Sequence, residues 1–153
     1  TMHVIDEIVI YGSNTDEMAD EILQRYREHQ VTIYPDPASK QRKTSAGGRT
    51  DLSILQNAGF RVKLRNSHPP VRDRINSVNS KLMSSTGQRT LLVDPKCKQV
   101  ISSLERQTYK EGTSQPNKED GCDHMNDALG YAIEYLFPIR KDRTTEQPTR
   151  WTA

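Results

Sequence analysis

Residues 123–137 have the sequence DHMNDALGYAIEYLF, which predicts a helix with one apolar side and one polar side. At about 100° per residue, the apolar side chains fall on one side of this helix: Met125, Ala128, Leu129, Ala132, Ile133 and Leu136. Asp123 and Asp127 fall on the other side, four residues apart, where like charges repel each other. A Mg²⁺ or Mn²⁺ ion would reverse that effect, because hard cations prefer oxygen ligands. The alternative is that Asp123 caps the helix and Asp127 is solvated, which the pattern alone favours.

A second acidic position, Asp36, lies in the stretch YPDPAS at residues 34–39, directly after a predicted strand at 31–34. Ligands of open α/β sheets bind at the carboxyl ends of strands, and Asp36 is at such an end. The prolines on either side of Asp36 restrict the backbone there. The alternative is that Asp36 caps a turn, as aspartates often do. A strand-end carboxylate, a helix carboxylate and a basic region are together typical of metal-dependent phosphodiester hydrolysis.

Strand and helix patterns alternate along the rest of the chain. Strands are predicted at residues 4–11, 31–34, 60–64 and 90–93, and helices are predicted to begin near Thr15, Thr50, Pro70 and Asp94. This order predicts an α/β fold with a substantially parallel sheet. We expect one domain over residues 1–140 and a polar, flexible tail over residues 141–153.

The charges are segregated along the sequence. Residues 1–39 have a net charge of −6, residues 40–98 of +10 and residues 99–153 of −2. The basic middle segment predicts a polyanionic partner, and a solvated basic face is the alternative. No apolar run approaches the ~20 residues that cross a bilayer, so we expect no membrane partner. Two cysteines are too few for a disulfide framework or a four-cysteine zinc site, which favours a reducing cytosol.

Several of these motifs together resemble the C-terminal nuclease domain of the large terminase subunit of tailed bacteriophages, the DNA-packaging motor protein. The resemblance runs from about residue 4 to residue 138 and rests on the stretches YPDPA (34–38), RIN (74–76), LLVDPKC (91–97), LE (104–105) and DHMNDALGYA (123–132). It implies a ribonuclease-H-like fold with a central mixed β-sheet flanked by helices on both faces. It also implies an endonuclease that cuts concatemeric double-stranded viral DNA with little sequence preference.

The resemblance also implies roles for individual residues. Asp36 and Asp127 would be the catalytic metal ligands. The family varies at the positions of Asp123 and His124, so we expect these two only to support the ligands: Asp123 by assisting them, and His124, because it is adjacent to the acidic pair, by orienting a carboxylate or a water. Two Mg²⁺ or Mn²⁺ ions, ~3.5–4 Å apart, would activate a water and stabilise the departing oxygen. Basic side chains near these ligands would hold the DNA backbone without reading bases. We expect such contacts from Lys40, Arg42, Lys43, Arg49, Arg72 and Arg74.

The family pattern has its first metal-binding aspartate on an opening strand, upstream of the strand that residues 4–11 resemble. We expect that strand to be missing from this sequence, and Asp6 and Glu7 are not assigned its role. The alternative function is therefore a catalytically incomplete module that grips DNA or assembles the motor. A nucleotide-binding domain built on Gly47 and Gly48 is a third alternative, but the order strand–GxGxxG–helix does not surround them.

The resemblance finally implies partners and a location. The partners would be double-stranded DNA, the terminase ATPase domain, the small terminase subunit and the portal. The location would be the cytoplasm of the infected bacterial host. The sequence contains no GxxxxGK[ST] phosphate loop, so the ATPase activity of the motor is not expected from these residues.

Overall fold

Short strands alternate with helices in this computed structural model, which describes residues 1–41, 48–113, 116–117 and 121–139. The elements are, in chain order, β1 (Met2–Val4), α1 (Thr15–Arg25), β2 (Thr32–Ile33), a 3₁₀ helix (Pro37–Lys40), α2 (Asp51–Asn57), β3 (Arg61–Val62), α3 (Val71–Leu82), β4 (Leu91–Val93), α4 (Lys98–Arg106) and α5 (Asp123–Leu136). The predicted tail at 141–153 lies outside the described residues. No helix within the described ranges is both long and apolar enough to cross a membrane.

The strands pair in parallel, in two separate two-stranded sheets. In one sheet β1 pairs with β4, and Met2 lies opposite Leu91. In the other sheet β2 pairs with β3, and Thr32 lies opposite Arg61. The α/β class is confirmed. A single central mixed sheet flanked on both faces is not confirmed, because the described strands are only two or three residues long and join as parallel pairs.

The strand predicted at residues 4–11 is wrong for nearly all of that range, because β1 lies at Met2–Val4 and shares only Val4 with it. The acidic side chain that follows is held by α1. Asp6 accepts a hydrogen bond from the Tyr26 hydroxyl at 2.8 Å and another from Arg25 at 3.1 Å. These two hydrogen bonds lower the pKa of the Asp6 carboxyl, so it remains charged. Asp6 therefore ties the segment after β1 to α1.

Helix α4 begins at Lys98, four residues later than the predicted cap Asp94. Its first backbone N–H groups are satisfied by a carboxylate from far away in the sequence. Glu7 accepts hydrogen bonds from the backbone N–H groups of Gln99 and Val100, at 3.0 and 2.9 Å. A carboxylate at this end of a helix also suits the helix dipole. Glu7 therefore has a structural role as the cap of α4.

Two hydrophobic clusters hold the elements together. The first cluster centres on side chains from α1, from α2 and from the residue before β3: Ala19, Leu55 and Phe60. The second centres on side chains from α3, β4 and α5: Val78, Leu91 and Ile133. The β2–β3 sheet thus packs with α1 and α2, whereas the β1–β4 sheet packs with α3 and α5.

Polar and aromatic contacts join α5 to the end of the β2–β3 sheet. Arg65 binds the Glu134 carboxylate through two nitrogens, at 3.0 and 3.1 Å. The Arg65 guanidinium also lies 5.1 Å from the centre of the Tyr135 ring. That ring packs against Tyr34, with the two ring centres 5.2 Å apart. Since Tyr34 directly follows β2, these contacts bring the polar side of α5 next to Asp36.

Candidate active site

Asp36 lies just beyond the end of β2, at the first turn of the 3₁₀ helix. Its Oδ1 accepts a hydrogen bond from the backbone N–H of Ala38 at 2.7 Å, so the turn-capping role is present. Its Oδ2 accepts a hydrogen bond from the hydroxyl of Tyr131 on α5 at 3.0 Å. The Asp36 side chain is 48% exposed. Asp36 therefore caps a turn, contacts α5 and still faces solvent.

His68 is a neighbour of Asp36 that the sequence analysis did not identify. Its Nδ1 lies 3.4 Å from Oδ1 of Asp36. His68 belongs to the segment between β3 and α3, more than thirty residues further along the chain. No local spacing in the sequence links the two residues, because only the folding of that segment brings them together.

Asp127 lies on the second turn of α5 and forms an ion pair with Arg74 of α3. Nη2 of Arg74 lies 3.0 Å from Oδ1 of Asp127. The Arg74 side chain is 8% exposed, whereas that of Asp127 is 34% exposed. Arg74 is thus buried between α3 and α5, although it was expected among the exposed basic side chains. The sequence analysis does not predict this ion pair, and the phosphate contact expected from Arg74 stays a prediction.

Tyr131 connects the two carboxylates. It follows Asp127 by one helical turn, so both side chains lie on the same side of α5. The guanidinium carbon of Arg74 lies 4.3 Å from the centre of the Tyr131 ring, in a cation–π contact. Asp36 therefore contacts Tyr131, Asp127 contacts Arg74, and Tyr131 and Arg74 contact each other.

The Tyr131 hydroxyl is a proton donor over the whole neutral pH range. Burial raises the pKa of Tyr131 to about 12, the Arg74 guanidinium opposes this shift, and the hydrogen bond to Asp36 adds to it. A tyrosine with this pKa stays protonated at pH 7. It therefore donates to the Asp36 carboxylate and does not act as a base.

The two supporting residues of the prediction have different surroundings. Asp123 is the first residue of α5 and is 6% exposed. It lines a cavity of about 190 Å³ together with Arg74, Asn126 and Asp127. His124 is exposed and makes no hydrogen bond or ion pair with any other residue that the structure describes. The structure thus brings Asp123 to the same cavity as Asp127, but not His124.

Protein-family comparison identifies the kind of domain to which these residues belong. The family model described as the terminase RNaseH-like domain matches residues 2–136. The chain belongs to this family. The resemblance to a terminase nuclease domain is therefore confirmed, and both Asp36 and Asp127 lie within the matched residues. No curated protein and no solved structure matches the chain.

RNaseH-like nuclease domains generally use divalent metals. The carboxylates of Asp36 and Asp127 in this terminase domain have the right chemistry, because Mg²⁺ is usually held by one or two carboxylates with water and substrate phosphate. Within the described ranges, no group of three or more His, Cys, Asp or Glu side chains is arranged to hold a metal.

Lys40 is the predicted DNA contact that follows Asp36 most closely in the sequence of the terminase domain. It ends the 3₁₀ helix that begins directly after Asp36, and it is exposed. Its Nζ donates a hydrogen bond to the backbone carbonyl of Arg65 at 3.3 Å. This bond directs the ammonium group toward the segment that follows β3. Lys40 is thus on the surface and close in sequence to Asp36.

Among the other predicted DNA contacts, Arg49 and Arg72 are exposed. Arg49 is exposed but has Asp16 of α1 as a partner, with Nη2 and Oδ2 3.3 Å apart. Arg72 is exposed on the first turn of α3. Arg42 and Lys43 lie outside the described residues. The surface positions of Arg49 and Arg72 are compatible with backbone contacts to DNA.

Proposed function

We propose that this terminase domain is a metal-dependent DNA endonuclease that cuts concatemeric double-stranded DNA in a viral packaging motor. The observation that carries the proposal is the series of contacts from Asp36 through Tyr131 and Arg74 to Asp127. These contacts link a carboxylate after β2 to a carboxylate on α5. Membership of the terminase RNaseH-like family supports nuclease activity.

Each residue of the site has a defined part in this proposal. Asp36 and Asp127 hold Mg²⁺ or Mn²⁺, with help from Asp123 at the start of α5. A divalent cation held there would supply the Lewis-acid chemistry that phosphodiester hydrolysis needs, namely activation of a water and stabilisation of the departing oxygen. Tyr131 orients Asp36 through its hydroxyl, and Arg74 orients Asp127 through its guanidinium. Because both carboxylates are partly exposed, a DNA phosphate can approach them from solvent.

The basic side chains and the motor complete the proposal. The surface lysine and arginines neutralise backbone phosphates and therefore position DNA without reading its sequence. The domain acts in the cytoplasm of the infected bacterial host, as the nuclease part of the large terminase subunit. There it works with the terminase ATPase domain, the small terminase subunit and the portal.

A plasmid-nicking assay with Asp127→Asn tests the proposal. The wild-type protein is expected to nick supercoiled plasmid with Mn²⁺ and to lose this activity in EDTA. Asp127→Asn is expected to abolish nicking, because the amide lacks the charge that holds a divalent cation. Asp20→Asn, an exposed position on α1, is the matched control and should leave nicking unchanged. Undiminished cleavage by Asp127→Asn would remove Asp127 from the mechanism.

A DNA-gripping or assembly module without catalysis is the second candidate function. The observation that favours it is the absence, among the described residues, of any group of three or more metal-ligating side chains. Such a module would bind DNA in a salt-sensitive way and would not cut it in Mn²⁺. A binding titration run beside the nicking assay therefore distinguishes the two candidates.

A further inference from the structure

Arg74 is a buried cation whose hydrogen-bonding groups are only partly satisfied. The residue is 6% exposed, and Nη2 pairs with Asp127 at 3.0 Å. Its Nε and Nη1 are buried and have no hydrogen-bond partner among the described residues. Burying such donors unpaired costs free energy. The position of Arg74 is therefore not explained by packing alone.

The partner of Arg74 is the carboxylate that the proposed function assigns to a metal. The Asp127 side chain is 34% exposed, so a cation from solvent can reach it while Arg74 remains inside. Given the 3.0 Å contact, a cation bound to Asp127 would come within roughly 5 Å of the guanidinium. Two positive charges at that separation repel each other, and a divalent ion doubles the effect.

We propose that Arg74 is the resident counter-ion of Asp127, which a divalent cation must displace or share. Before a metal binds, Arg74 neutralises the Asp127 carboxylate. Arg74 also contacts the ring of Tyr131, whose hydroxyl orients Asp36, so it keeps Asp127 aligned with Tyr131. The same charge weakens the binding of the metal. This inference rests on the proposed function, because it assumes that Asp127 is a metal ligand.

Calorimetric titration of the full chain with Mn²⁺ tests the charge of Arg74. The repulsion between a guanidinium and a divalent cation at that separation weakens binding about tenfold even at the dielectric constant of water. Arg74→Met removes this repulsion and is therefore expected to bind Mn²⁺ about tenfold more tightly than the wild type. Arg74→Lys keeps the charge and should bind within about threefold of the wild type. Arg25→Met, which removes an arginine paired with a carboxylate outside the site, Asp6, is the matched control and should leave the affinity unchanged.

The direction of the change separates this role from a purely structural one. If Arg74 served only to hold the fold, Arg74→Met would loosen the site and bind Mn²⁺ equally or more weakly, which would overturn the inference. If the wild type binds Mn²⁺ and cuts DNA while Arg74→Met binds no more tightly, only the counter-ion role fails. If neither protein binds Mn²⁺, the proposed function fails with it.

A measurement on the wild type avoids any loss of folding in Arg74→Met. In protein labelled with ¹⁵N at arginine, Mg²⁺ is expected to shift the side-chain Nε resonance of Arg74 as its pairing with Asp127 changes. The Nε resonance of Arg65 should stay in place, because its partner is Glu134. An Arg74 resonance that does not move while Mg²⁺ binds would contradict the displacement.

Discussion

Replacing Tyr131 by phenylalanine removes one hydroxyl from the centre of the candidate site and leaves the ring beneath Arg74. The hydroxyl donates to Asp36 at 3.0 Å. A hydrogen bond to a charged acceptor contributes roughly 1.5–3 kcal/mol. Because the Asp36 side chain is 48% exposed, water replaces part of the bond, and we expect the free energy of unfolding to fall by about 1 kcal/mol. This corresponds to a decrease in Tm of about 2–4 °C.

A double-mutant cycle isolates the bond. Urea unfolding in EDTA is measured for the wild type, Tyr131→Phe, Asp36→Ala and the double variant. The loss of the Asp36 cap on Ala38 is common to both Asp36→Ala proteins and cancels, so the expected coupling energy is about 1 kcal/mol. Tyr135→Phe, one turn further along α5, is the matched control and should show no coupling with Asp36→Ala. A coupling within about 0.3 kcal/mol of zero for Tyr131 would refute the reasoning.

The same bond has a predictable pH dependence. The pKa of Tyr131 is raised to about 12, above the value of about 10 for an unfolded tyrosine. The folded state therefore favours the protonated hydroxyl. The stabilising effect of this hydroxyl is complete below pH ~10, and it is lost as the pH rises through the pKa of the folded state. The difference in stability between the wild type and Tyr131→Phe should be constant from pH 7 to 9. It should shrink at higher pH.

Three further substitutions test the surroundings of the site. Arg65→Met leaves the Glu134 carboxylate, which is 7% exposed, without its cation. We expect the free energy of unfolding in urea to fall by about 2 kcal/mol. This is less than for a fully buried pair, because Arg65 is partly exposed. An unchanged midpoint would show that the pair does not hold α5. Glu7→Gln weakens the cap of α4 and should lower the stability by about 1 kcal/mol in thermal unfolding, whereas an unaltered Tm would contradict that role. Lys40→Ala should weaken DNA binding similarly for all sequences and reduce the salt slope by about 1 in fluorescence anisotropy; an identical slope would exclude Lys40 from the interface.

Local patterns in the sequence were sufficient to predict several elements. The apolar and polar sides of residues 123–137 predict a helix, and α5 spans Asp123–Leu136. Thr50 was predicted to begin a helix, and its side chain accepts the backbone N–H of Ser53 at the start of α2. The double proline at residues 69–70 directly precedes α3, which begins at Val71 without a side-chain cap. Each of these signals depends on residues within a few positions of one another.

The position of the first strand, residues 2–4 instead of 4–11, could not be predicted locally, because it depends on pairing with β4. The apolar run continues to residue 11, but β4 ends at Val93 and offers only three residues for pairing. Beyond Val4 the chain turns to other contacts, and Ile5, Val9 and Ile10 remain exposed. Long-range pairing therefore overrides the local preference for a strand.

The burial of Arg74 is not expected from its charge, although the sequence contains a signal for it. Arg74 precedes the buried Val78 by one helical turn, so it lies on the inner side of α3. Basic side chains usually lie on the surface of a protein. Arg74 is an exception, and its ion pair with Asp127 on α5 explains its burial. The contact between Tyr131 and Asp36 spans 95 positions, and no spacing rule predicts it.

Crystals of the domain grown with Mn²⁺ and a short DNA duplex, measured at the manganese absorption edge, test the central claim most directly. An anomalous peak is expected about 2.1 Å from a carboxylate oxygen of Asp36 and from one of Asp127. A bound manganese ion that touches neither carboxylate, or only one of them, would contradict the claim that these two side chains share a cation.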